Sequence, residues 1–188
     1  MAPPTLDPVD FLLRRLEWRY AKGVPTTERC WVYLRDSVEL IPELIREKRR
    51  GKLKPAQLLL TSPPYFGVTN YHYDQWLRLW LLGGAPNALR PAKAGDHRGK
   101  FENLIKYRQL LTHVFEGTAE LLHSKATVYV RTDRRELTRE LTAEALRAAF
   151  PRRRIRMKEQ PFLRPTQTSL FGDDSVKAGE VDFIITVA

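Results

Sequence analysis

Four residues that follow a run of three leucines, Ser62, Pro63, Pro64 and Tyr65, are the most distinctive candidates for chemistry in this sequence. The leucines predict a buried strand, and two consecutive prolines prevent a helix from beginning directly after it. The Ser62 hydroxyl and the carbonyls of Ser62 and Pro63 can accept hydrogen bonds, whereas prolines have no N–H to donate. The rings fix these acceptors in direction, and the Tyr65 ring offers a flat surface on which a base can stack. We call residues 62–65 the elbow.

Preorganised acceptors beside an aromatic ring suit chemistry on an amine that is conjugated with a heterocycle. The lone pair of the amino group on cytosine or adenine is delocalised into the ring, so the nitrogen is a poor nucleophile. Two acceptors that bind both N–H bonds draw the nitrogen toward tetrahedral geometry and free the lone pair to attack an electrophilic methyl group. The same four residues could instead form a polyproline ligand or an ordinary turn. Their position directly after a strand favours the catalytic interpretation.

The elements that must position the elbow alternate between helices and strands. Helices are predicted over residues 10–22, 37–50, 74–82, 101–122 and 135–150, and strands over 30–34, 56–62, 126–133, 152–160 and 180–188. This order predicts an α/β fold with a mostly parallel sheet of about five strands, in which the last two strands form an antiparallel pair. Ligands of such sheets bind at the carboxyl ends of the strands, where the elbow lies. We expect one domain over residues 1–188, with an irregular insertion over 66–100.

Composition points to a soluble protein with an anionic partner. The 188 residues include 32 Lys and Arg against 22 Asp and Glu, a net charge of +10, which favours nucleic acid. No segment has the apolar length of a signal peptide or a membrane span, so we predict a cytoplasmic protein without membrane contact. Cys30 is the single cysteine, and the four histidines show no ligand spacing, so we predict neither a disulfide nor a metal site.

The elbow resembles the catalytic motif of the S-adenosylmethionine-dependent DNA amino-methyltransferases, and serine in its first position is similar to the group that modifies the N4 amine of cytosine. The likeness extends over roughly residues 29–188, through the segments VYLRDSVELIPELI, AQLLLTSPPY, ELLHSKATVYVRTD and GEVDFIITV. It implies a Rossmann-like methyltransferase sheet. It also implies that Ser62 and the Pro63 carbonyl bind the amine of a flipped base, that Pro64 holds the shape, and that Tyr65 stacks on the ring.

The resemblance implies a role for Asp36 as well. An acidic residue at the end of an earlier strand accepts a hydrogen bond from the adenine amine of the cofactor in this family, and Asp36 matches it. The same aspartate could simply cap the helix that follows.

One departure from the family pattern is large. The cofactor turn of the kind D-P-F-x-G-x-G is absent, and no G-x-G occurs anywhere in the sequence. The sheet is therefore predicted to be incomplete. We expect a restriction-modification methyltransferase subunit that acts on double-stranded DNA, with a second protein subunit that supplies the S-adenosylmethionine motif and target recognition. The alternative is a non-catalytic DNA-binding or assembly protein derived from such an enzyme.

Two other groups of residues leave their roles open. Four arginines lie in the predicted strand over residues 152–160, where they could contact phosphate or protect a sheet edge from aggregation: Arg152, Arg153, Arg154 and Arg156. Four aromatic residues of the insertion could contact a base, but local packing is the favoured role: Tyr71, Tyr73, Trp76 and Trp80.

Overall fold

The computed structural model describes residues 7–24, 30–67, 80–84, 101, 103–160 and 179–187. The chain divides into two compact units, Met1–Leu34 and Arg35–Ala188. The first unit contains helix α1, Pro8–Tyr20, as predicted, and the Asp7 side chain caps it by accepting a hydrogen bond from the Val9 N–H at 2.8 Å. No residue of α1 is buried.

Three helices and four strands of the second unit have defined bounds within the described residues. In chain order they are α2 (Ser37–Arg49), β1 (Ala56–Thr61), α3 (Leu104–Leu121), β2 (Leu122–Asp133), α4 (Glu136–Ala149), β3 (Arg153–Gln160) and β4 (Glu180–Val187). Most of the insertion predicted over residues 66–100, with the aromatic residues Tyr71, Tyr73 and Trp76, lies outside the described residues. None of the described helices is long and apolar enough to cross a membrane.

The four strands form one mixed sheet in the order β1-β2-β4-β3. Strands β1 and β2 are parallel, and β4 is antiparallel to both β2 and β3. The α/β class and the antiparallel pairing of the last two strands are therefore confirmed. The expectation of a mostly parallel sheet is met in part, because one of the three strand pairs is parallel.

The strand predicted over residues 30–34 is wrong, and the described part of the chain contains a sheet of four strands where about five were predicted. These residues have no regular structure, and the Val32 and Leu34 side chains are fully or almost fully exposed. An apolar alternation forms a strand only where a neighbouring strand accepts its backbone hydrogen bonds. No strand in the described part of the chain pairs with this segment.

The core lies on one face of the sheet, between the strands and the helices α3 and α4. Val128, Val130 and Ile185 point to this face and are fully buried. They pack with Phe115 of α3 and Leu146 of α4 in one cluster, and its burial supplies most of the stability of the unit.

Helix α2 packs closely on α3, and Gly117 makes this possible. A Cβ atom at Gly117 would lie 2.5 Å from Cγ2 of Ile41, inside van der Waals contact. The conformational cost of a glycine inside a helix is therefore offset by the close approach of α2.

The other face of the sheet, which we call the open face, is covered by none of the helices α2, α3 and α4 of the second unit. Alternation along each strand places Leu58 and Leu60 of β1 on it, and they are 58% and 69% exposed. Across β2 and β4, strand register places Tyr129 and Ile184 on the same face. The second edge of β1 also has no partner strand among the described residues.

Candidate active site at the carboxyl end of β1

The elbow follows β1 directly. The strand ends at Thr61, one residue earlier than the sequence predicted. Strands β1 and β2 are parallel, so the end of β2 at Asp133 lies at the same edge of the sheet. Strand β4 is antiparallel to β2 and begins there, with Glu180 paired in register with Asp133. The topology therefore brings the elbow, Asp133 and Glu180 to the same end of the sheet, where β1 and β2 finish and β4 begins.

Buried side chains hold the backbone that follows the elbow. The hydroxyl of Tyr107, a fully buried residue of α3, donates to the Pro64 carbonyl at 2.8 Å. The Tyr107 ring also contacts the Phe66 ring at 5.4 Å between centroids. Arg135, itself bound by Asp133, donates to the Phe66 carbonyl at 2.8 Å. Burial raises the pKa of the Tyr107 phenol, so its hydroxyl remains a donor at neutral pH.

The Tyr65 side chain is anchored at its hydroxyl as well as at its backbone. The hydroxyl donates to Oε1 of Glu180 at 3.0 Å, and Oε2 of Glu180 lies 3.5 Å from Nη1 of Arg131. Arg131 in turn donates to both carboxylate oxygens of Asp182, at 2.7 and 3.1 Å. Burial raises the pKa of Tyr65, opposed by a hydrogen bond with Ser62 and reinforced by the Glu180 charge. The phenol therefore stays protonated and keeps its bond to Glu180 at neutral pH.

This chain of contacts ends on a buried aspartate of the open face. Asp182 is 3% exposed, and the Arg131 guanidinium beside it lowers the pKa of its carboxyl group. Gln160 adds a hydrogen bond to Asp182 at 3.2 Å. The orientation of Tyr65 is thus connected through Glu180 and Arg131 to the middle of the sheet.

The carbonyls of Ser62 and Pro63 contrast with those that follow. Tyr107 and Arg135 satisfy the carbonyls of Pro64 and Phe66, but no donor within the described ranges reaches the carbonyl of Ser62 or Pro63. A peptide carbonyl is an obligatory acceptor. The elbow therefore presents two adjacent acceptors, fixed by proline, beside an aromatic ring that is fixed by Glu180.

Asp36 does not lie at the end of a strand, because residues 30–34 form none. Its Oδ1 accepts a hydrogen bond from the Val38 N–H at 2.9 Å and caps α2. The structure thus shows the capping interaction that the sequence left open. The assignment of Asp36 to the cofactor stays a prediction from the resemblance.

The arginines of β3 differ in whether the described structure gives them hydrogen-bond or ion-pair partners. Arg153 is structural, since its guanidinium donates to the backbone carbonyls of His123, Ser124 and Ala126 at the start of β2. Arg154 and Arg156 are exposed, and neither takes part in an ion pair within the described residues. Sequence reasoning did not separate them, because the division depends on which face of the strand each residue occupies.

Sequence reasoning missed four residues of the site: Tyr107, Arg131, Arg135 and Glu180. Tyr107 falls at an apolar position of the helix predicted over residues 101–122, and this spacing gives no sign of a polar role for its hydroxyl. Arg131 and Asp182 each interrupt a predicted apolar strand. A charged residue of opposite sign in each of two neighbouring strands was the available signal for their pairing.

No group of three or more His, Cys, Asp or Glu side chains is arranged to hold a metal ion in the part of the chain that the structure describes.

No family model matches the sequence, and no curated protein matches it. Among solved structures, the chain is similar to SMU.776, a candidate methyltransferase complexed with SAH, with a TM-score of 0.47 and 11% sequence identity. The match covers 97% of this chain, which spans 37% of the length of that structure.

The substitution Tyr107→Phe tests the support of the elbow. Loss of the hydroxyl leaves the Pro64 carbonyl without its buried donor, so we expect the free energy of unfolding to fall by about 1–3 kcal/mol. Urea denaturation measures this change. Tyr33→Phe, at a residue that is 51% exposed, serves as the control and should change stability by less than about 0.5 kcal/mol. Equal stability of the two variants would show that the Tyr107 hydroxyl does not support the elbow.

Proposed function

We propose that this chain is a subunit of a DNA amino-methyltransferase of the restriction-modification type, with the exocyclic N4 amine of cytosine as the favoured acceptor and adenine as the less favoured one. The observation that carries the proposal is the elbow, in which the Ser62 side chain lies beside Tyr65, no described donor reaches the Pro63 carbonyl, and the Tyr65 ring is held by Glu180. An amine with two N–H donors on a flat ring is complementary to this arrangement.

In the proposed reaction the base leaves the duplex to reach the elbow. The Ser62 side chain and the Pro63 carbonyl accept the two N–H bonds and draw the nitrogen toward tetrahedral geometry. Tyr65 stacks on the ring, and its hydroxyl bond to Glu180 keeps the ring from rotating away. Positioning of the nitrogen lone pair is the main contribution of these residues. The nitrogen loses a proton after methylation, when it has become acidic, so no strong base is required beforehand.

The methyl donor proposed for this chemistry is S-adenosylmethionine, but the described residues do not form a cradle for it. Asp36 caps α2 through Oδ1, and the sequence contains no G-x-G turn. We therefore assign the cofactor turn, and target recognition, to a second protein subunit.

The second edge of β1 is the proposed position of that subunit. Strand β1, with the sequence AQLLLT, has neither a charged residue nor a proline to protect its edge. Its Leu58 and Leu60 side chains are exposed on the open face. In methyltransferase-like sheets the strands of the cofactor site lie beside the strand that ends on the elbow. A partner strand on β1 would satisfy its backbone and bury both leucines.

The test is to purify the chain alone and together with the product of a neighbouring coding sequence that contains the D-P-F-x-G-x-G motif. We expect calorimetry to detect binding of S-adenosylmethionine, and a methylation assay to detect activity on DNA, only for the complex. The variant Leu60→Glu should prevent the complex from forming, whereas Leu137→Glu, at an exposed position of α4, should not.

Two results would contradict parts of this proposal. A monomer that binds S-adenosylmethionine tightly by itself removes the need for a partner. A stable complex that binds S-adenosylmethionine and DNA without methylating an amine favours the alternative, a non-catalytic DNA-binding or assembly protein.

A further inference from the structure

Strand β3, the outermost strand on the side of the sheet opposite β1, carries a row of cations. Arg154, Arg156 and Lys158 occupy alternate positions of β3, so all three point to the open face, and all three are exposed. None of them takes part in an ion pair among the described residues. We call these three residues the basic row.

The acidic groups near the basic row are already engaged. Asp182 is the register partner of Lys158 on β4, but its carboxylate is bound by Arg131 and Gln160. Glu159 points to the opposite face of β3, where Arg134 lies 2.6 Å from it. The positive charge of the basic row is therefore not compensated by the described carboxylates around it.

We propose that the basic row binds the phosphate backbone of one strand of duplex DNA. Alternate residues of a β-strand are about 6.6 Å apart, so the three cations span about 13 Å. This repeat is close to the separation of successive phosphates along a nucleic-acid strand. Three phosphates can therefore be contacted in sequence, each by one cation, with the release of condensed counterions.

The orientation of β3 places the row in a useful relation to the elbow. Strand β3 runs in the same direction as β1, since both β2 and β3 are antiparallel to β4 and β1 is parallel to β2. The Lys158 end of the row therefore lies toward the end of the sheet at which β1 finishes and the elbow begins. Three strand spacings, about 14 Å in all, separate β3 from β1. A backbone held along the row would run parallel to β1 and reach the end of the sheet at which the elbow lies.

Protection of a sheet edge is the competing explanation of these charges, and it predicts a different pattern. Charged side chains that discourage pairing at an edge need not share one face of the strand. Here three cations without an ion-pair partner among the described residues share one face. The other face of β3 carries Ile155, Met157, the paired Glu159 and Arg153, whose guanidinium is used by backbone carbonyls of β2. The segregation of charge by face favours a ligand on the open face.

This inference rests on the proposed DNA substrate and adds where the duplex backbone binds. The test uses the full chain and a short fluorescein-labelled DNA duplex, with fluorescence anisotropy measured from about 50 to 200 mM salt. The variant is Arg154→Gln/Arg156→Gln/Lys158→Gln. The matched control, Lys106→Gln/Arg108→Gln/Arg147→Gln, removes the same charge from exposed positions of α3 and α4.

We expect the slope of log affinity against log salt to become shallower by about 0.9 for each phosphate that the protein no longer neutralises, or about 2.7 for the triple variant. The control should change the slope by less than about 0.9, the value for a single phosphate. Equal slopes for the wild type and the triple variant would overturn the proposal, as would an equal change in the control. Tighter binding of an RNA duplex of the same sequence would overturn the assignment to DNA.

Melting followed by circular dichroism should show that both triple variants remain folded, because all six substituted side chains are exposed. The binding assay needs no methyl transfer, so its result is separate from that of the proposed function. Row-dependent DNA binding in a complex that does not methylate would retain the basic row and reject the enzyme. Methylation that is unaffected by the triple variant would retain the enzyme and reject the basic row as a DNA-binding site.

Discussion

Alanine in place of Ser62 or Tyr65 is expected to lower the rate of methyl transfer by about 100-fold or more in the assembled enzyme, without unfolding the chain. Loss of one preorganised hydrogen-bonding group from an active site commonly costs this much. Ser62 supplies an acceptor for the amine, and Tyr65 supplies the stacking surface. Both effects should appear in the single-turnover rate, because they act on the position of the reacting nitrogen.

Two further variants make this experiment specific. Tyr65→Phe keeps the ring but removes the hydroxyl bond to Glu180, so its rate should lie between those of the wild type and Tyr65→Ala. Ser124→Ala, at an exposed position near the start of β2, should leave the rate unchanged. Near-normal turnover of both Ser62→Ala and Tyr65→Ala would remove the elbow from the mechanism.

Phe183→Ala is expected to lower the free energy of unfolding by about 3–5 kcal/mol, the range for deletion of a buried aromatic side chain. Phe183 lies in the middle of β4, is 2% exposed and packs in the core cluster. The destabilisation combines reduced apolar burial with the cavity that remains. Chemical denaturation of the purified chain measures it.

Met157 provides a matched control, because it is the register partner of Phe183 on β3 and points to the same face of the sheet. Its side chain is 51% exposed, so Met157→Ala should cost less than about 1 kcal/mol. If the two alanine variants were equally stable, burial on this face would not decide stability, and the assignment of the core to the α3 and α4 side would be wrong.

The sequence predicted those elements whose formation depends on local pattern. The apolar spacing of residues 101–122 and 135–150 indicated α3 and α4, and the position of the elbow after a leucine-rich strand was confirmed to within one residue. Residues 30–34 have an equally suitable pattern, but they form no strand. Their pattern describes what a strand would bury and carries no information about a neighbour that would pair with it.

The residues that support the elbow could not be predicted for the same reason: a local pattern carries no information about residues that are distant in sequence. The hydrogen bond from Tyr107 to Pro64 joins residues far apart in sequence, and the contact of Glu180 with Tyr65 spans a still greater separation. Only the strand order places β4 so that its first residue reaches the elbow. The residue types of the elbow were readable in the sequence, whereas the residues that fix its geometry required the sheet topology.

The position of β1 in the sheet has a consequence for its local stability. Strand β1 reaches β2 only after the segment from Ser62 to Leu121 has closed on itself, which carries an entropic cost. Strand β1 is also held on one side only among the described residues. Its amides should therefore exchange with solvent through local opening well before those of β2 and β4. The elbow, which follows β1 directly, should open together with it, and slower amide exchange in residues 58–61 would report directly that a partner strand has bound.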